Sequence, residues 1–246
     1  YHLPIMGIPV QFKKALGNAI LGKAIECYTD VEIMEFLHGG LLIDAEAAQI
    51  LWDRNFGKYI GCKVKKTENI PAMEQIIDKE FGGEFFEDYI QTNWFRKRKD
   101  ERYYLTSKDD ARVITQIVDL ERKPLSPGTV IYENSLGGRV AVIATQPEPD
   151  SWYFRNRAQV ILQIVKWLMY DTLPVAVIDC PNVGPIYYED ETTGEGLLTI
   201  ASGSLDDVRY QLETKDIELI KRVDGGIDTN YIEGMSMQMW LTQKLA

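Results

Sequence analysis

The chain has 246 residues, 45% hydrophobic and 26% charged, an ordinary globular composition that allows one large domain or two small ones. Its formal net charge of -10 at pH 7 makes contact with nucleic-acid phosphates or anionic membranes unfavourable. The sequence contains no apolar run long enough to span a bilayer, which excludes membrane-spanning helices.

The start of the chain and its cysteines bear on its origin and compartment. The sequence begins with Tyr1, without an initiator Met or the basic-then-apolar layout of a signal peptide, and we expect a piece of a longer protein. Its cysteines, Cys27, Cys62 and Cys180, are scattered and odd in number. Because they match neither a disulfide framework nor a zinc spacing, we expect a reducing, cytoplasmic environment.

Two short helices are predicted before the first clear strand. Apolar residues recur at roughly helical spacing between residues 12 and 21. Asp30 is expected to cap a second helix over residues 31–37, which leads the chain to a pair of glycines.

The stretch 39–51 changes its period in the middle and predicts a strand-turn-helix unit. Residues 41–43 are an unbroken apolar run, typical of a strand buried on both faces. From Asp44 onward the apolar spacing becomes helical, and Phe56 with the following glycine ends the unit. Asp44 occupies the position of an N-cap, and Glu46 lies in the electropositive first turn.

Two interpretations of Asp44 and Glu46 are open. Open α/β sheets bind ligands at the carboxyl ends of their strands, where these carboxylates are expected, so both are candidate ligand-binding residues. Capping of the helix and a favourable interaction with its dipole account for the same residues without a ligand.

The stretch from 58 to 105 carries weaker patterns. We predict a short strand or extended edge at 58–64, a helix at 71–79 and a strand at 89–95. The basic run 96–99 could bind phosphate, but beside the overall negative charge a solvated loop is the favoured interpretation.

The pattern is clearer from residue 111 to residue 170. Strands are predicted at 112–118, 129–133 and 139–145, with turns at 124–128 and 134–138. The third strand is almost entirely apolar and is expected to be central. A helix capped by Asp150 or Ser151 should follow. Its apolar stripe, expected to pack on the sheet around residues 140–144, comprises Val160, Ile161, Ile164, Val165 and Leu168.

The last part of the chain, from Pro174 onward, has a different pattern. Short alternating segments separated by glycines predict a small antiparallel β-sandwich. The sequence therefore predicts two domains, an α/β domain at 1–172 and an all-β sandwich at 173–246.

Catalytic and cofactor motifs are weak. Cys62 lacks a nucleophile elbow, and both histidines, His2 and His38, precede it, so a buried structural thiol is favoured. The acidic turn 189–191 could hold calcium, although a solvated hairpin tip explains it. No nucleotide-binding motif is present, and the number of strand-helix units is too small for a TIM barrel. We expect no metal and no cofactor.

Four segments in order resemble one known family. Residues 37–61, 136–143, 152–170 and 173–246 resemble, respectively, the strand-helix unit, the closing G-x-G-R-V strand, the last helix and the small C-terminal sandwich of glycoside hydrolase family 42 β-galactosidases. The first three of these belong to the amidotransferase-like "trimerisation" domain of that family. The resemblance is weak between 63 and 135, and the first half of the family's doubly wound sheet has no counterpart before Gly39.

The resemblance implies a fold and a role. The fold would be α/β, a partial flavodoxin or class I amidotransferase-like layer, followed by the small antiparallel sandwich. The role would be that of a non-catalytic structural and oligomerisation region, because the family's catalytic carboxylates lie in a preceding barrel. The implied partners are that catalytic barrel and further copies of the chain, and no catalytic residue is carried over.

Two other functions are kept as alternatives. A carbohydrate-binding accessory module would stack sugar rings on exposed aromatic side chains, and the candidates for this are Trp94 and Trp152 together with Phe95 and Tyr153. An autonomous hydrolase would need a pair of carboxylates placed across a sugar, which composition alone cannot establish.

Overall fold

A computed structural model describes residues 8, 10–11, 17–67, 73–91, 102–144, 154–178, 180, 182–226 and 230–245. Its secondary structure is mostly β. The chain divides into two compact units. The larger unit comprises Leu16–Ser151 and Gln163–Asp171, and the smaller unit comprises Tyr1–Ala15, Trp152–Leu162 and Thr172–Ala246. The domain boundary at 172–173 stays a prediction.

Among the described residues, the helices of the whole chain and the strands before residue 134 have the following bounds. The α-helices are α1 (Asp30–His38), α2 (Ala45–Asp53), α3 (Lys79–Gly82) and α4 (Arg155–Leu168), and short 3-10 helices occupy Gly22–Cys27, Gly57–Tyr59 and Gly83–Phe85. The first nine strands are β1 (Val10–Gln11), β2 (Gly17–Ile20), β3 (Gly40–Asp44), β4 (Cys62–Thr67), β5 (Met73–Ile76), β6 (Tyr89–Gln91), β7 (Arg102–Ser107), β8 (Arg112–Val118) and β9 (Pro124–Glu133).

The remaining strands follow the loop after β9. They are β10 (Arg139–Ile143), β11 (Val175–Ile178), β12 (Val183–Glu189), β13 (Glu195–Ser202), β14 (Val208–Arg209), β15 (Gln211–Thr214), β16 (Ile217–Arg222), β17 (Tyr231–Ile232) and β18 (Met237–Lys244). Within the described ranges, no helix is long and apolar enough to cross a membrane.

The larger unit is built on a mixed sheet. Among the described residues the strand order is β2-β3-β10-β9-β8-β5-β6. Strands β2, β3 and β10 are parallel to one another, and every pairing from β10 to β6 is antiparallel. Strands β4 and β7 form a separate antiparallel pair. The core packs α1, α2 and one face of β3 and β10 against residues of β4 and β7.

The predicted strand-turn-helix unit is confirmed. Strand β3 is buried along its whole length because it lies between two strands and under helices, which explains its continuous apolar run. Asp44 caps α2, as expected. Helix α1 is also confirmed, but its cap is Thr29 rather than Asp30. The Thr29 side chain accepts a hydrogen bond from Glu32 N, and the Glu32 carboxylate accepts one from Thr29 N, which completes a capping box.

Three local predictions are wrong for related reasons. Residues 17–20, expected to be helical, form β2, because they take their hydrogen bonds from β3. Residues 73–76, also expected to be helical, form β5 between β6 and β8. The turn expected at 124–128 is the first half of β9, and the register of β8 against β9 shifts near its prolines.

The smaller unit holds a second sheet with the order β1-β12-β13-β18-β16. Strand β1 pairs parallel with β12, and the other pairings are antiparallel. Strands β11 and β15 form a two-stranded sheet. Alternating residues of β12, β13 and β18 are buried, and they join Val175 and Val177 of β11 in one core cluster. The alternating pattern of the sequence after Pro174 is explained by this one-sided burial.

Helix α4 shows the expected apolar stripe. All five of its predicted residues are buried, and Leu168 lies against Gly40 of β3, where an added Cβ would come within 2.4 Å of the Leu168 carbonyl oxygen. Packing of the whole stripe on the sheet around residues 140–144 stays a prediction. The capping residues expected before this helix, 150 and 151, lie outside the described residues.

The close packing at the start of β10 generates a test. We expect Gly138→Ala to lower the free energy of unfolding by more than about 3 kcal/mol, because its Cβ would lie 2.0 Å from the Leu37 carbonyl oxygen. Gly137→Ala is the matched control: it has open space and only the strain of a positive φ, 79°, so about 1 kcal/mol is expected. Urea unfolding measures both, and equal losses for the two variants would contradict the packing argument.

Candidate functional site

The carboxyl ends of the three parallel strands meet at one edge of the larger sheet. Ile20 of β2 is opposite Ile43 of β3, and Ile143 of β10 is opposite Asp44, so the three strands end at nearly the same level. This edge is the usual ligand position of open parallel sheets. Of the four candidate ligand-binding residues of the sequence, Asp44 and Glu46 lie at this edge.

Asp44 is held by backbone groups on two sides. Its side chain is 2% exposed, and its Oδ1 accepts hydrogen bonds from Ala47 N and from Gly22 N, each at 2.9 Å. The first bond is the helix cap expected from the sequence. The second, to the residue that opens the 3-10 helix after β2, joins two segments 22 residues apart in the chain. The hydrogen bonds of Asp44 therefore hold the segment after β2 next to the end of β3.

Gly22 belongs to the same cluster, although no sequence pattern singled it out. Its φ is +55°, a left-handed conformation that favours glycine. A Cβ on Gly22 would lie 2.9 Å from Glu46 Oε2 and 3.9 Å from Asp44 Oδ2. The two carboxylates thus face the same short backbone segment. The pattern that could have indicated this is a glycine directly after a strand end, which is common and unspecific.

Burial and hydrogen bonding act on Asp44 in opposite directions. Desolvation raises the pKa of Asp44 above its ordinary value of 3.8, and the backbone N–H groups of Ala47 and Gly22 counteract part of that rise by stabilising the carboxylate. Because Oδ1 already accepts two backbone hydrogen bonds, the arrangement favours the structural interpretation of Asp44. The ligand role of Asp44 and Glu46 stays a prediction.

The two aromatic candidates cannot be placed beside them. Trp94 and Trp152 lie outside the described residues, as do Phe95, Tyr153 and the basic run 96–99. Their proposed roles in stacking sugar rings or binding phosphate stay predictions.

A second buried carboxylate was missed by the sequence analysis. Glu74 of β5 is 0% exposed, and its Oε1 accepts hydrogen bonds from the hydroxyls of Thr115 and Thr129, the latter at 3.2 Å. Gly128 lies against the same group: an added Cβ would come within 3.0 Å of Glu74 Oε1. The helical interpretation of 71–79 concealed this residue, since a strand places Glu74 on the same face as buried Ile76.

The cysteines do not form a nucleophilic site. Cys62 is buried, and desolvation raises the pKa of its thiol to about 12, with Lys108 opposing the rise. The pKa of Cys180 is also raised by burial, whereas Cys27 is exposed. Cys62 is therefore a neutral thiol at physiological pH, in agreement with the structural interpretation.

The acidic turn after β12 does not gather its carboxylates toward one point. Glu189 is buried and accepts hydrogen bonds from the Tyr187 hydroxyl at 3.0 Å and from Lys244 Nζ at 3.2 Å. Asp190 instead accepts from the backbone of Thr193 and Thr192, which lowers its pKa. Within the parts of the chain that the structure describes, no three His, Cys, Asp or Glu residues are grouped so that they could hold a metal ion.

Comparison with solved structures finds a likeness of fold to parts of two glycoside hydrolases. No protein-family model and no curated sequence matches the chain. Its structure is similar to α-L-fucosidase isoenzyme 2 from Paenibacillus thiaminolyticus, with a TM-score of 0.58 and 9% identity over 93% of this chain and 40% of that one. It is also similar to a cold-adapted β-galactosidase from Rahnella sp. R3, with a TM-score of 0.53 and 10% identity over 92% of this chain and 31% of that one.

These comparisons establish a likeness of fold. The chain spans less than half of the length of either enzyme, and the identities are too low to transfer an activity. The glycoside hydrolase-related fold suggested by the sequence resemblance is therefore supported. Which region of those enzymes this chain corresponds to is proposed below.

The double role of Asp44 generates a stability test. We expect Asp44→Ala to lower the free energy of unfolding by about 3 kcal/mol, since two backbone N–H groups lose their acceptor at about 1–3 kcal/mol each. Asp44→Asn keeps an acceptor at the Oδ1 position and should cost less than about 1 kcal/mol. Thr29→Ala, which removes the cap of α1 alone, is the comparison at about 1 kcal/mol.

The pH dependence of the same variants separates charge from hydrogen bonding. A raised folded-state pKa means that the contribution of Asp44 is fully present below its ordinary pKa of 3.8 and is lost as pH rises through the raised value. The stability of the wild type relative to Asp44→Asn should therefore fall over that interval in urea melts. A difference that stays constant or grows with pH would show that burial does not dominate at Asp44.

Thiol reactivity tests the assignment of the cysteines. In the native protein at pH 8, we expect a disulfide reagent such as DTNB to modify Cys27 quickly and Cys62 and Cys180 only at the rate of unfolding, because burial keeps the latter two protonated. Cys27→Ser should abolish the fast phase. A fast phase that survives this substitution and disappears in Cys62→Ser would identify Cys62 as a reactive thiol.

Proposed function

We propose that this chain is a non-catalytic structural and oligomerisation region of a glycoside hydrolase-type protein. The observation that carries the proposal is the similarity of fold to the fucosidase, which extends over 93% of this chain but only 40% of the enzyme. Nearly the whole of this chain matches less than half of the enzyme, as expected of a domain that accompanies a catalytic domain. Its partner in the proposal is a catalytic barrel in the same polypeptide.

The chemistry of the buried carboxylates supports this proposal. Glycoside hydrolysis requires two carboxyl groups on opposite sides of a sugar, with access for the substrate. Asp44 is bound to two backbone N–H groups, and Glu74 is enclosed by threonine hydroxyls with no exposure at all. Both carboxylates stabilise the sheet that carries them. Neither is open to a substrate.

The proposal includes a fold assignment and a compartment. Strands β2, β3 and β10 with helices α1 and α2 would correspond to a partial flavodoxin or amidotransferase-like layer. The sheets of the smaller unit would correspond to the C-terminal β-sandwich of the same enzymes. Three free cysteines among the described residues suit a reducing compartment, and we include a cytoplasmic location on that ground.

The activity of the isolated chain tests the proposal. We expect no turnover of aryl α-L-fucosides, aryl β-D-galactosides, other aryl glycosides or glutamine, because Asp44 and Glu74 are closed to a substrate and burial raises the pKa of the Cys62 and Cys180 thiols. The purified chain is assayed beside Glu46→Gln and Glu74→Gln, which remove the remaining candidate acids. Turnover that survives repurification and is abolished by one of these substitutions would assign catalysis to the chain and refute the proposal.

A further inference from the structure

The outward side of the sheet in the smaller unit is apolar where three strands meet. Successive side chains along β12, β13 and β18 point to opposite sides of the sheet. Tyr187, Leu198 and Trp240 point into the core, and the residues before and after each of them point outward. The register places the outward residues in rows across the sheet. We call the following residues the outer apolar face: Ile186, Tyr188, Leu197, Met237, Met239 and Leu241.

Much of the outer apolar face is exposed. Tyr188 is 52% exposed, Met237 is 60% exposed and Leu241 is 44% exposed, and Tyr188, Leu197 and Leu241 lie directly opposite one another in a single row. We put its apolar area on the order of 400 Å², within the range of the largest patches of monomers, which are often functional. Two such faces with their polar rims would bury roughly 1,200 Å², the lower end of specific protein interfaces.

The distribution of bulk on the face suits a second copy of itself. The row of Tyr188, Leu197 and Leu241 is bulky. Four residues further along the strands, Ala201 of β13 lies beside Met237 of β18, so the side chain on β13 is small in this row. The row between them contains Ile186, Thr199 and Met239. A twofold axis along this middle row would place Leu197 of one copy over Ala201 of the other, and Leu241 over Met237.

The charges around the face agree with the same arrangement. No charged residue lies within the three rows of β12, β13 and β18. Among the described residues of this sheet, Glu195 and Glu218 lie one row beyond Leu197, on either side of Gln243, and Lys221 of β16 is opposite Leu241. Rotation about the middle row turns each of them toward the opposite end of the partner sheet, so no like charges are brought together at the centre. A chain of net charge -10 can self-associate only where its own charges are kept apart in this way.

We propose that the outer apolar face binds the same face of a second copy of this chain, with the twofold axis along the row of Ile186, Thr199 and Met239. The proposal deepens the oligomerisation role stated above and rests on it, because it names the surface and the partner. The two are decided by different measurements: an inactive oligomer that Leu241→Lys leaves intact would refute the interface alone, and an active dimer would refute the non-catalytic role alone.

The oligomeric state of the full chain tests the interface. Sedimentation velocity over a dilution series in the micromolar range should show a dimer for the wild type. Leu241→Lys should raise the dimer dissociation constant at least about tenfold, since it places a charge in the centre of the face. Leu120→Lys changes an equally apolar side chain that is 71% exposed in the larger unit, and it should leave the constant unchanged. Circular dichroism checks that both variants are folded.

Disulfide trapping tests the direction of the axis. With Cys27 replaced by serine, Leu241→Cys and Met237→Cys chains are mixed and oxidised, and a crosslinked heterodimer is expected. A mixture of Leu120→Cys and Met237→Cys is the control and should give none. A wild type that is monomeric throughout, or a dimer that Leu241→Lys and Leu120→Lys affect alike, would overturn the proposal. A monomer in which galacto-oligosaccharides shift the NMR signals of Tyr188 would assign the face to sugar instead and would also overturn it.

Discussion

The larger unit depends on three backbone segments that approach one another too closely for side chains. At the start of β3, the end of α1, the loop before β10 and the end of α4 meet around Gly40 and Gly138. The Leu37 carbonyl, at the end of α1, accepts a hydrogen bond from Asn134 Nδ2 at 2.9 Å, and the Gly39 carbonyl accepts from Arg139 N at 2.8 Å. Because these bonds join segments about 100 residues apart, they determine where β10 lies beside β3. The parallel part of the sheet follows from that alignment.

The buried carboxyl groups show how the chain itself supplies hydrogen bonds to acidic side chains inside this sheet. A carboxylate removed from water is costly unless strong donors replace the lost hydration. Asp44 meets this requirement in part, since two backbone N–H groups donate to it while desolvation still raises its pKa, and Glu74 accepts from two threonine hydroxyls on neighbouring strands. Each carboxylate therefore connects segments distant in the chain, β2 with β3 in one case and β5 with β8 and β9 in the other. Such positions resemble catalytic sites in composition, yet the donors described above are backbone and hydroxyl groups of the chain itself.

The two faces of the smaller sheet have different physical roles. The inward side chains, including Tyr187, Leu198 and Trp240, form the core of the smaller unit. The outward row of Tyr188, Leu197 and Leu241 lies outside that core and is exposed.

Local patterns in the sequence determined the elements whose residues interact with their near neighbours in the chain. Asp44 as the cap of α2, the unbroken apolar run of β3, the stripe of α4 and the alternating strands after Pro174 were all predicted, because capping and one-sided burial act over a few residues.

The tertiary structure decided the elements whose hydrogen bonds come from distant strands. Residues 17–20 and 73–76 have helical or ambiguous spacing, but they are strands because β3, β6 and β8 offer them backbone partners. The same cause hid Glu74, whose donors Thr115 and Thr129 lie 41 and 55 residues away, and Gly22, whose importance depends on Asp44. Strand pairing and buried hydrogen bonds are non-local, so they become visible only when the chain has folded and distant residues have met.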